Sequence, residues 1–217
     1  MKRIALIHTV PTVYMTFAEQ LRIELGDVLI SNTLDDFLAS DAEIRGEFSI
    51  NNMDRLYKLL KAAEETGPDL IAVTCSTLSP AVISLRQFFK IPIVTIDELM
   101  IREAVRLGEK IMILSTAEST VKPTREKLKA EGIRIGKEVL LDNIVCHEAY
   151  KAIKNQDKSL HDVLILAVAR EIRDYDVIVL AQASMAHLEQ PIHDATGITV
   201  VSSPRYCVQE IKEILSR

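Results

Sequence analysis

Cys75 is the residue of this sequence whose type and position most directly suggest chemistry. It follows an apolar run, residues 71–73, and it is flanked by the hydroxyl residues Thr74, Ser76 and Thr77. An apolar run of this kind predicts a buried parallel strand, and α/β folds bind ligands at the carboxyl ends of such strands. A helix start after Cys75 would favour the thiolate and could hold a substrate carboxylate. The alternative is structural, because free cysteine often serves as a small buried hydrophobe.

The elements that would position Cys75 are strands alternating with helices along the chain. Besides the run before Cys75, short apolar runs predict strands over residues 4–7, 28–30, 91–96, 111–114, 138–141, 177–180 and 198–201. Apolar stripes and stop residues predict helices over residues 16–25, 53–63, 97–107, 123–130, 160–172 and 204–215, and another helix that starts at Ser79-Pro80. Asn51-Asn52 and Ser159 are the predicted caps of the helices that follow them.

Residues 31–50 are polar, rich in aspartate and low in periodicity, so the sequence predicts a long loop there. Loops of that length are often lids or binding loops. We expect this segment, together with residues 185–197, to line the site.

The two halves of the sequence correspond under a shift of 107 positions. Ile4 falls on Ile111, Asp69 on Asp176, Asn52 on Ser159, Met53 on Leu160, Leu56 on Val163 and Val94 on Val201. A constant offset predicts a duplicated βαβ module. The expected fold is α/β, with two pseudo-symmetric, doubly wound (Rossmann/flavodoxin-like) parallel-sheet halves and a small-molecule site in the cleft between them. The predicted halves are residues 1–97, with the helix 204–217 packing back on them, and residues 98–203.

The composition narrows the class of protein. The 217 residues carry a net charge of −5, which disfavours nucleic acid and anionic membranes as partners. The sequence contains no run of 18 or more apolar residues, so we expect no membrane span. Three cysteines without paired spacing favour a reducing cytoplasm over a disulfide framework. The expected partner is a small molecule.

The sequence resembles the aspartate/glutamate/hydantoin racemase superfamily over essentially its whole length. The resemblance rests on the duplicated halves, on the strand ends at 74–77 and 180–185, and on 114–116 followed by 119–121. It implies cofactor-independent chemistry at the carbon next to a carboxylate of a small acid. In that family one cysteine from each half flanks the α-carbon, one removing a proton and the other returning one. A homodimer is common in the family.

The second cysteine of that pattern is absent, because the shift maps Cys75 onto Gln182. An amide cannot act as a general base near neutral pH. Four alternatives remain open: a racemase-like isomerase with Cys75 as its single thiol acid/base, a one-cysteine decarboxylase of malonate-like acids, a maleate-isomerase-like enzyme with a nucleophilic cysteine, and a non-catalytic binding protein. The related decarboxylase carries its cysteine in the second half, unlike this chain.

The remaining candidates are hydrogen-bond donors for the carboxylate oxygens, where charge builds in an enediolate. They are the hydroxyls and backbone N–H groups of Ser76, Thr77, Ser115, Thr116, Ser119, Thr120, Ala183 and Ser184. By resemblance, Ser76, Thr77, Thr116 and Thr120 are the expected carboxylate ligands, with Ser119 able to replace Thr120 because the spacing is one residue longer. The alternative for each hydroxyl is helix capping.

The histidines and a short cysteine motif complete the candidates. We expect His8, at the end of the first strand, to contact the substrate; the alternative is a bond to a neighbouring carbonyl. His187 could replace the missing acid/base, although a structural histidine is the commoner case. Cys146-His147-Glu148 is not interpreted as a metal site, since adjacent helical residues diverge and no second ligand pair follows. His161 and Cys207 are expected to be structural.

Overall fold

A computed structural model describes residues 1–216, apart from the side chain of Thr12. The chain forms two compact units, Met1–Glu98 with Pro204 onward, and Leu99–Ser203. Each unit contains a four-stranded, all-parallel sheet with flanking helices, so the predicted α/β class with two halves is confirmed. None of the helices in the described residues combines the length and apolarity needed to cross a membrane.

The elements follow one another in the order typical of βαβ units. The strands are β1 Lys2–His8, β2 Val28–Leu34, β3 Leu70–Val73, β4 Ile93–Thr95, β5 Lys110–Ser115, β6 Leu140–Val145, β7 Val177–Leu180 and β8 Thr199–Ser202. The α-helices are α1 Pro11–Leu25, α2 Phe37–Arg45, α3 Ile50–Glu65, α4 Ser79–Leu85, α5 Glu98–Leu107, α6 Glu118–Ile135, α7 His147–Lys154, α8 Lys158–Ala169, α9 Glu189–Thr196 and α10 Ser203–Leu215. Short 3-10 turns cover Ser76–Leu78, Arg86–Phe88 and Ala183–Leu188.

Both sheets have the same strand order and nearly the same register. The orders are β2-β1-β3-β4 and β6-β5-β7-β8. Ile4 pairs with Leu70 in the first half, and Ile111 pairs with Val177 in the second, so both members shift by 107. The pairs of β3 with β4 and of β7 with β8 keep the same shift. The edge strand β6 departs from it by four residues, since Ile111 pairs with Leu141 and Ile4 with Ile30.

The central strands are buried as the apolar runs predicted. All residues of β3 and β7 have 0% exposure. Helix α3 covers the first sheet with Leu56 and Leu60, also fully buried. Burying each such leucine contributes about 1.5–3 kcal/mol relative to an exposed one. A rigid, apolar strand therefore leads directly to each of the two strand ends where the sequence places Cys75 and Gln182.

The prediction of a long loop over residues 31–50 is wrong. Its first residues extend β2, and Phe37–Arg45 form helix α2. The helix buries only Leu38 and Ala42, four residues apart, and its other positions are largely polar. With only two buried positions in nine residues, and the apolar Phe37 and Ile44 exposed, the stripe is too weak to be recognised from the sequence. The segment is thus an ordered helix packed on the first core, not a lid.

The predicted caps of α3 and α8 are also wrong. Helix α3 is capped by Ser49, whose Oγ accepts the N–H of Asn52 at 3.2 Å, and α8 by Asp157, whose Oδ1 accepts the N–H of Leu160 at 2.9 Å. Asn52 lies inside its helix, 1% exposed, and donates its amide to Asp41. Ser159 likewise lies inside α8.

The two long helices do not obey the shift of 107. Leu56 is fully buried, whereas its expected counterpart Val163 is 60% exposed. The buried positions of α8 are Ile165 and Ala169, which match Leu56 and Leu60 under a shift of 109. The expected equivalence of Met53 with Leu160 fails for the same reason. Strand register was retained between the halves, while the helix packed on it was displaced.

Two further boundaries differ from prediction in the second half. Helix α6 begins at Glu118 and contains Pro123, which the sequence placed at the helix start. Strand β6 covers Leu140–Val145 instead of 138–141. It is an edge strand without a fully buried residue, and its polar Asp142 and Asn143 interrupt the apolar run that would indicate a strand.

Candidate active site

Cys75 is the second residue after β3, separated from it by Thr74, in an extended conformation (φ −125°, ψ 117°). Its carbonyl accepts the N–H of Leu78 at 3.1 Å, which closes the 3-10 turn Ser76–Leu78. The thiol is free and half-buried, and the side chain packs against the first core. The helix predicted to start at Ser79-Pro80 is confirmed as the seven-residue α4, and the 3-10 turn separates it from Cys75.

The other two cysteines are shielded. Cys146 is 7% exposed and Cys207 is 0% exposed. Burial raises the pKa of the Cys207 thiol well above its usual value, with the carboxylates of Glu210 and Asp97 adding to the effect. Among the three thiols, Cys75 alone is accessible for chemistry.

His8 ends β1 and is fully buried. Its Nε2 lies 3.0 Å from Asn32 Oδ1, an acceptor, and its Nδ1 lies 2.7 Å from Thr74 Oγ1. A neutral ring that donates from Nε2 and accepts at Nδ1 satisfies both contacts. Burial lowers the pKa of His8 below its ordinary 6.5, and the hydrogen bond to Asn32 only partly opposes this. The ring therefore connects three strand ends, and both of its nitrogens are engaged.

Thr9, the next residue, carries an unsatisfied hydroxyl. It is 4% exposed, and its Oγ1 has no hydrogen-bond partner among the residues that the structure describes. A buried hydroxyl without a partner costs about 1–3 kcal/mol. Sequence reasoning omitted Thr9 from the candidate site, although the shift of 107 placed it on Thr116, which was a candidate.

The remaining first-half candidates lie on the turn after Cys75. Ser76 is half-buried and Thr77 is exposed. Beyond the turn, the buried Ser79 donates its hydroxyl to Asp97 Oδ1 at 2.7 Å. Asp97 follows β4 and is 4% exposed, so this bond fastens the start of α4 to the neighbouring strand end. Sequence periodicity could not indicate this pair, because 18 residues separate its members.

Gln182 is the counterpart of Cys75 and is the second residue after β7, separated from it by Ala181. Its side-chain Oε1 accepts the backbone N–H of Thr116 at 2.7 Å and the hydroxyl of Thr116 at 3.0 Å. Ser115 Oγ lies 3.4 Å from the same oxygen. The buried donors of Thr116 are thus satisfied by the chain itself, unlike the hydroxyl of Thr9.

Ser115 and Thr120 form a closed turn at the start of α6. Their hydroxyls lie 2.7 Å apart, Thr120 Oγ1 donates to the carbonyl of Ala117 at 2.8 Å, and Ser115 Oγ accepts the N–H of Ala117 at 3.0 Å. Neither hydroxyl caps α6, whose N-cap residue Ala117 has no side-chain cap; the two hydroxyls hold the turn that leads into the helix. Ser119 is exposed on the first turn of the same helix.

The segment after Gln182 is the 3-10 turn Ala183–Leu188, in which Ala183 is half-buried and Ser184 exposed. At the end of the adjacent strand β8, Ser202 is 1% exposed, and its Oγ has no hydrogen-bond partner within the described part of the chain. The carboxyl edge of the second sheet therefore also keeps one unsatisfied hydroxyl.

His187 forms a cluster with Asp162 and His161. Its Nε2 lies 2.9 Å from both carboxylate oxygens of Asp162, and Asp162 Oδ1 also lies 2.7 Å from Nδ1 of the buried His161. Burial acts to raise the pKa of Asp162, but the hydrogen bonds from the two histidines outweigh it and lower that pKa. The sequence did not indicate that Asp162 holds His187, since 25 residues separate them.

Within residues 1–216, no three histidine, cysteine or acidic side chains are grouped so as to hold a metal ion. Cys146 precedes α7 as its N-cap residue, His147 lies 4.0 Å from Glu118, and Glu148 pairs with Lys151. The three adjacent side chains thus take separate partners or environments.

Both the sequence and the fold of this chain are similar to those of known proteins. Residues 34–211 match the profile of the Asp/Glu/Hydantoin racemase family. Among solved structures, glutamate racemase isoform RacE1 from Bacillus anthracis is similar with a TM-score of 0.75 and 16% identity, over 99% of this chain and 82% of that one. Picrophilus torridus aspartate racemase is similar with a TM-score of 0.72 and 18% identity, over 99% of this chain and 94% of that one. Allantoin racemase from Klebsiella pneumoniae is similar with a TM-score of 0.68 and 16% identity, over 100% of this chain and 88% of that one. No curated protein sequence matches the chain significantly.

Proposed function

Because the chain belongs to the Asp/Glu/hydantoin racemase family, we propose that it is a racemase-like isomerase that acts without cofactor on a small acid. The reaction takes place at the carbon next to the carboxylate, with Cys75 as the single thiol acid/base. The observation that carries this proposal is the free, accessible thiol of Cys75 at the end of a fully buried strand. Its counterpart Gln182 has an amide whose oxygen is already hydrogen-bonded.

The proposed step is a proton transfer. The Cys75 thiolate forms an S–H bond with the α-proton, and the C–H electron pair moves into an enediolate. Return of the proton, or of a deuteron after exchange with solvent, restores the C–H bond and regenerates the thiolate. A positioned acid/base of this kind accelerates a reaction by about 10²–10⁴-fold.

Hydrogen-bond donors at the strand ends would stabilise the enediolate. In the first half we assign this role to the unsatisfied hydroxyl of Thr9 and to Ser76 and Thr77 beside the thiol. In the second half, Ser119, Ala183 and Ser184 remain candidate substrate contacts. Thr116 acts through Gln182, because the amide occupies its donors.

Other candidates take positioning roles in this proposal. Ser115 and Thr120 hold the turn before α6. His8 holds Thr74, the residue directly before Cys75, through its buried ring. His187 is the remaining candidate for a second acid/base, since Asp162 fixes its Nε2 and leaves its Nδ1 as the exchangeable nitrogen.

Decarboxylation of a malonate-like acid is the second candidate function, and the amide at position 182 favours it. Loss of carbon dioxide leaves the electron pair of the broken C–C bond in an enediolate. That species needs one proton, which the Cys75 thiol supplies. The reaction requires no acid/base at position 182.

The test measures hydrogen exchange at the α-carbon in deuterated water, by NMR, for both enantiomers of aspartate and glutamate. Wild type is expected to incorporate deuterium into at least one of them faster than it inverts the configuration, because position 182 supplies no second acid/base. Cys75→Ser should lower the rate by about 10²–10⁴-fold. Cys146→Ala, a change at a buried thiol, serves as the control and should retain exchange.

Exchange that persists in Cys75→Ser would contradict the proposed role of the thiol. Inversion as fast as exchange in wild type would contradict single-thiol chemistry. Carbon dioxide release from methylmalonate, abolished in Cys75→Ser, would select the decarboxylase instead.

A further inference from the structure

The carboxamide of Gln182 has a fixed orientation. A backbone N–H can only donate, so the side-chain atom 2.7 Å from the Thr116 nitrogen must be the amide oxygen. The hydroxyl of Thr116 reinforces this choice from 3.0 Å. The two buried donors therefore determine which end of the amide faces the strand end and which end faces away.

The outward end of Gln182 is its NH₂ group. Gln182 is half-buried, its Nε2 is not among the buried polar atoms that lack partners, and no hydrogen bond from Nε2 is found within the described residues. The amide thus presents two N–H donors at the carboxyl edge of the second sheet. Its acceptor is used internally.

We use the word corner for the two neighbouring strand ends that carry Thr9 and Cys75 in the first half, and Thr116 and Gln182 in the second. The corner of the first half has no amide. Cys75 replaces Gln182, Thr9 replaces Thr116, and the Oγ1 of Thr9 is buried without a partner. The threonine hydroxyl is therefore satisfied where position 182 carries an amide and lacks a partner in the described residues where position 75 carries a thiol. In the second half, the donors of Thr116 are used by the amide oxygen of Gln182, and the amide Nε2 carries the N–H donors that remain available.

We propose that Nε2 of Gln182 donates a hydrogen bond to a carboxylate oxygen of the substrate, so that the second half binds an anion and transfers no proton. This inference rests on the proposed function. The chemical reason is that an amide NH₂ neither takes nor gives up protons near neutral pH, but donates well to an anionic oxygen. The substrate class is a small acid whose carboxylate is recognised by position 182.

Gln182→Glu is the most selective test. A glutamate can place one carboxylate oxygen on the Thr116 donors, as the amide does, but presents an acceptor in place of Nε2. Binding of the acids that wild type binds, chosen from aspartate, glutamate, succinate and methylmalonate, would be measured by calorimetry. We expect the dissociation constant to rise by about 10- to 100-fold, as loss of a hydrogen bond to a charged group implies. The thermal unfolding midpoint should stay equal or rise.

Gln156→Glu is the matched control, since it makes the same charge change at an exposed residue of the second half and should leave binding unchanged. A second variant, Gln182→Leu, removes the amide altogether. It should weaken binding and also lower the unfolding midpoint, because the Thr116 donors lose their acceptor.

The outcomes separate the two proposals. If wild type binds these acids and Gln182→Glu binds them equally well, the role of Nε2 is wrong while the proposed function survives. If Gln182→Glu loses binding only because it unfolds, shown by a lowered midpoint, the assigned orientation of the amide is wrong. If wild type neither binds any of the acids nor exchanges their α-hydrogen, both proposals are overturned.

Discussion

The two halves share strand order and, apart from the edge strands β2 and β6, register, yet they differ at the strand ends where chemistry is expected. In the first half, Cys75 is accessible and the buried hydroxyl of Thr9 has no partner in the described residues. In the second half, Gln182 satisfies both donors of Thr116. The first corner keeps a reactive group together with an unsatisfied hydroxyl, whereas in the second the amide oxygen of Gln182 satisfies the donors of Thr116.

This difference teaches that a duplicated site can retain its architecture while its halves divide the work. Unsatisfied buried donors cost stability, and natural proteins tolerate them mainly at functional sites. The hydrogen bonds between Gln182 and Thr116 in the second half are instead a stabilising feature. The following variants test that contrast.

The largest effect is expected from Cys75→Gln, which gives the first half the side chain of the second. The rate of α-carbon exchange should fall by about 10²–10⁴-fold, because the acid/base is lost. The free energy of unfolding should rise by about 1 kcal/mol if the new amide accepts the hydroxyl of Thr9. NMR exchange and chemical denaturation would measure the two effects. An active Cys75→Gln protein would contradict the division of work between the halves.

Gly108→Ala addresses a difference at the opposite edge of the sheets. In the first half Asp69 accepts one backbone N–H, that of Arg3, whereas Asp176 accepts those of Glu109 and Lys110. A Cβ on Gly108 would lie 2.2 Å from the Cβ of Asp176.

We expect Gly108→Ala to lower the free energy of unfolding by about 1–3 kcal/mol, because the tight contact forces Asp176 away from its two donors. Denaturant unfolding measures it. Lys2→Ala, an exposed change beside the Asp69 contact, should cost little and serves as the control. Equal stabilities of Gly108→Ala and wild type would show that the contact relaxes freely.

Paired substitutions of Thr9 and Thr116 compare the two corners directly. Thr116→Val should cost about 1–3 kcal/mol, because it removes the hydroxyl that donates to Gln182. Thr9→Val should be nearly neutral or stabilising, since the hydroxyl it removes has no partner in the described structure. Denaturation in parallel gives the difference. Equal costs for the two variants would show that Thr9 is satisfied in solution.

The smallest effect concerns pH. The shift of 107 places His8 on Ser115, so only the first half has a titrating group at this position. Burial lowers the pKa of His8 in the folded chain. As the pH falls below 6.5, the unfolded chain therefore binds more protons at this residue than the folded chain does. Its stabilising contribution is present above pH 6.5, the ordinary value, and is lost as the pH falls below it.

His8→Gln removes this dependence. The difference in free energy of unfolding between wild type and His8→Gln should shrink as the pH falls from neutral towards 5, by at most about 1.4 kcal/mol per pH unit. Denaturation curves at several pH values measure it. Ser115→Ala should show no such pH dependence relative to wild type, and parallel curves for His8→Gln would contradict the assignment.

The sequence predicted what depends on burial and failed where contacts are distant. Strand β7 was predicted at its observed bounds, because four consecutive apolar residues between turn residues have few other structures open to them. The positions of Cys75 and Gln182 followed from the strand ends. Helix α2 was missed because two buried positions leave too little pattern.

The partners within the candidate site could not be predicted in the same way. The bonds of Gln182 to Thr116 and of His187 to Asp162 join residues 66 and 25 positions apart. Sequence periodicity carries no information on such pairs, which depend on how loops at neighbouring strand ends are placed. The same limit concealed the unsatisfied hydroxyl of Thr9, because an absent partner leaves no mark in the sequence.

The unequal shielding of the three cysteines has a practical consequence. A maleimide added to the native protein should label Cys75 quickly, while Cys146 and Cys207 should react only after unfolding. The labelling stoichiometry would therefore count competent molecules in a preparation. Protection of that one position by a compound would report occupancy of the corner around Cys75 before any reaction has been identified.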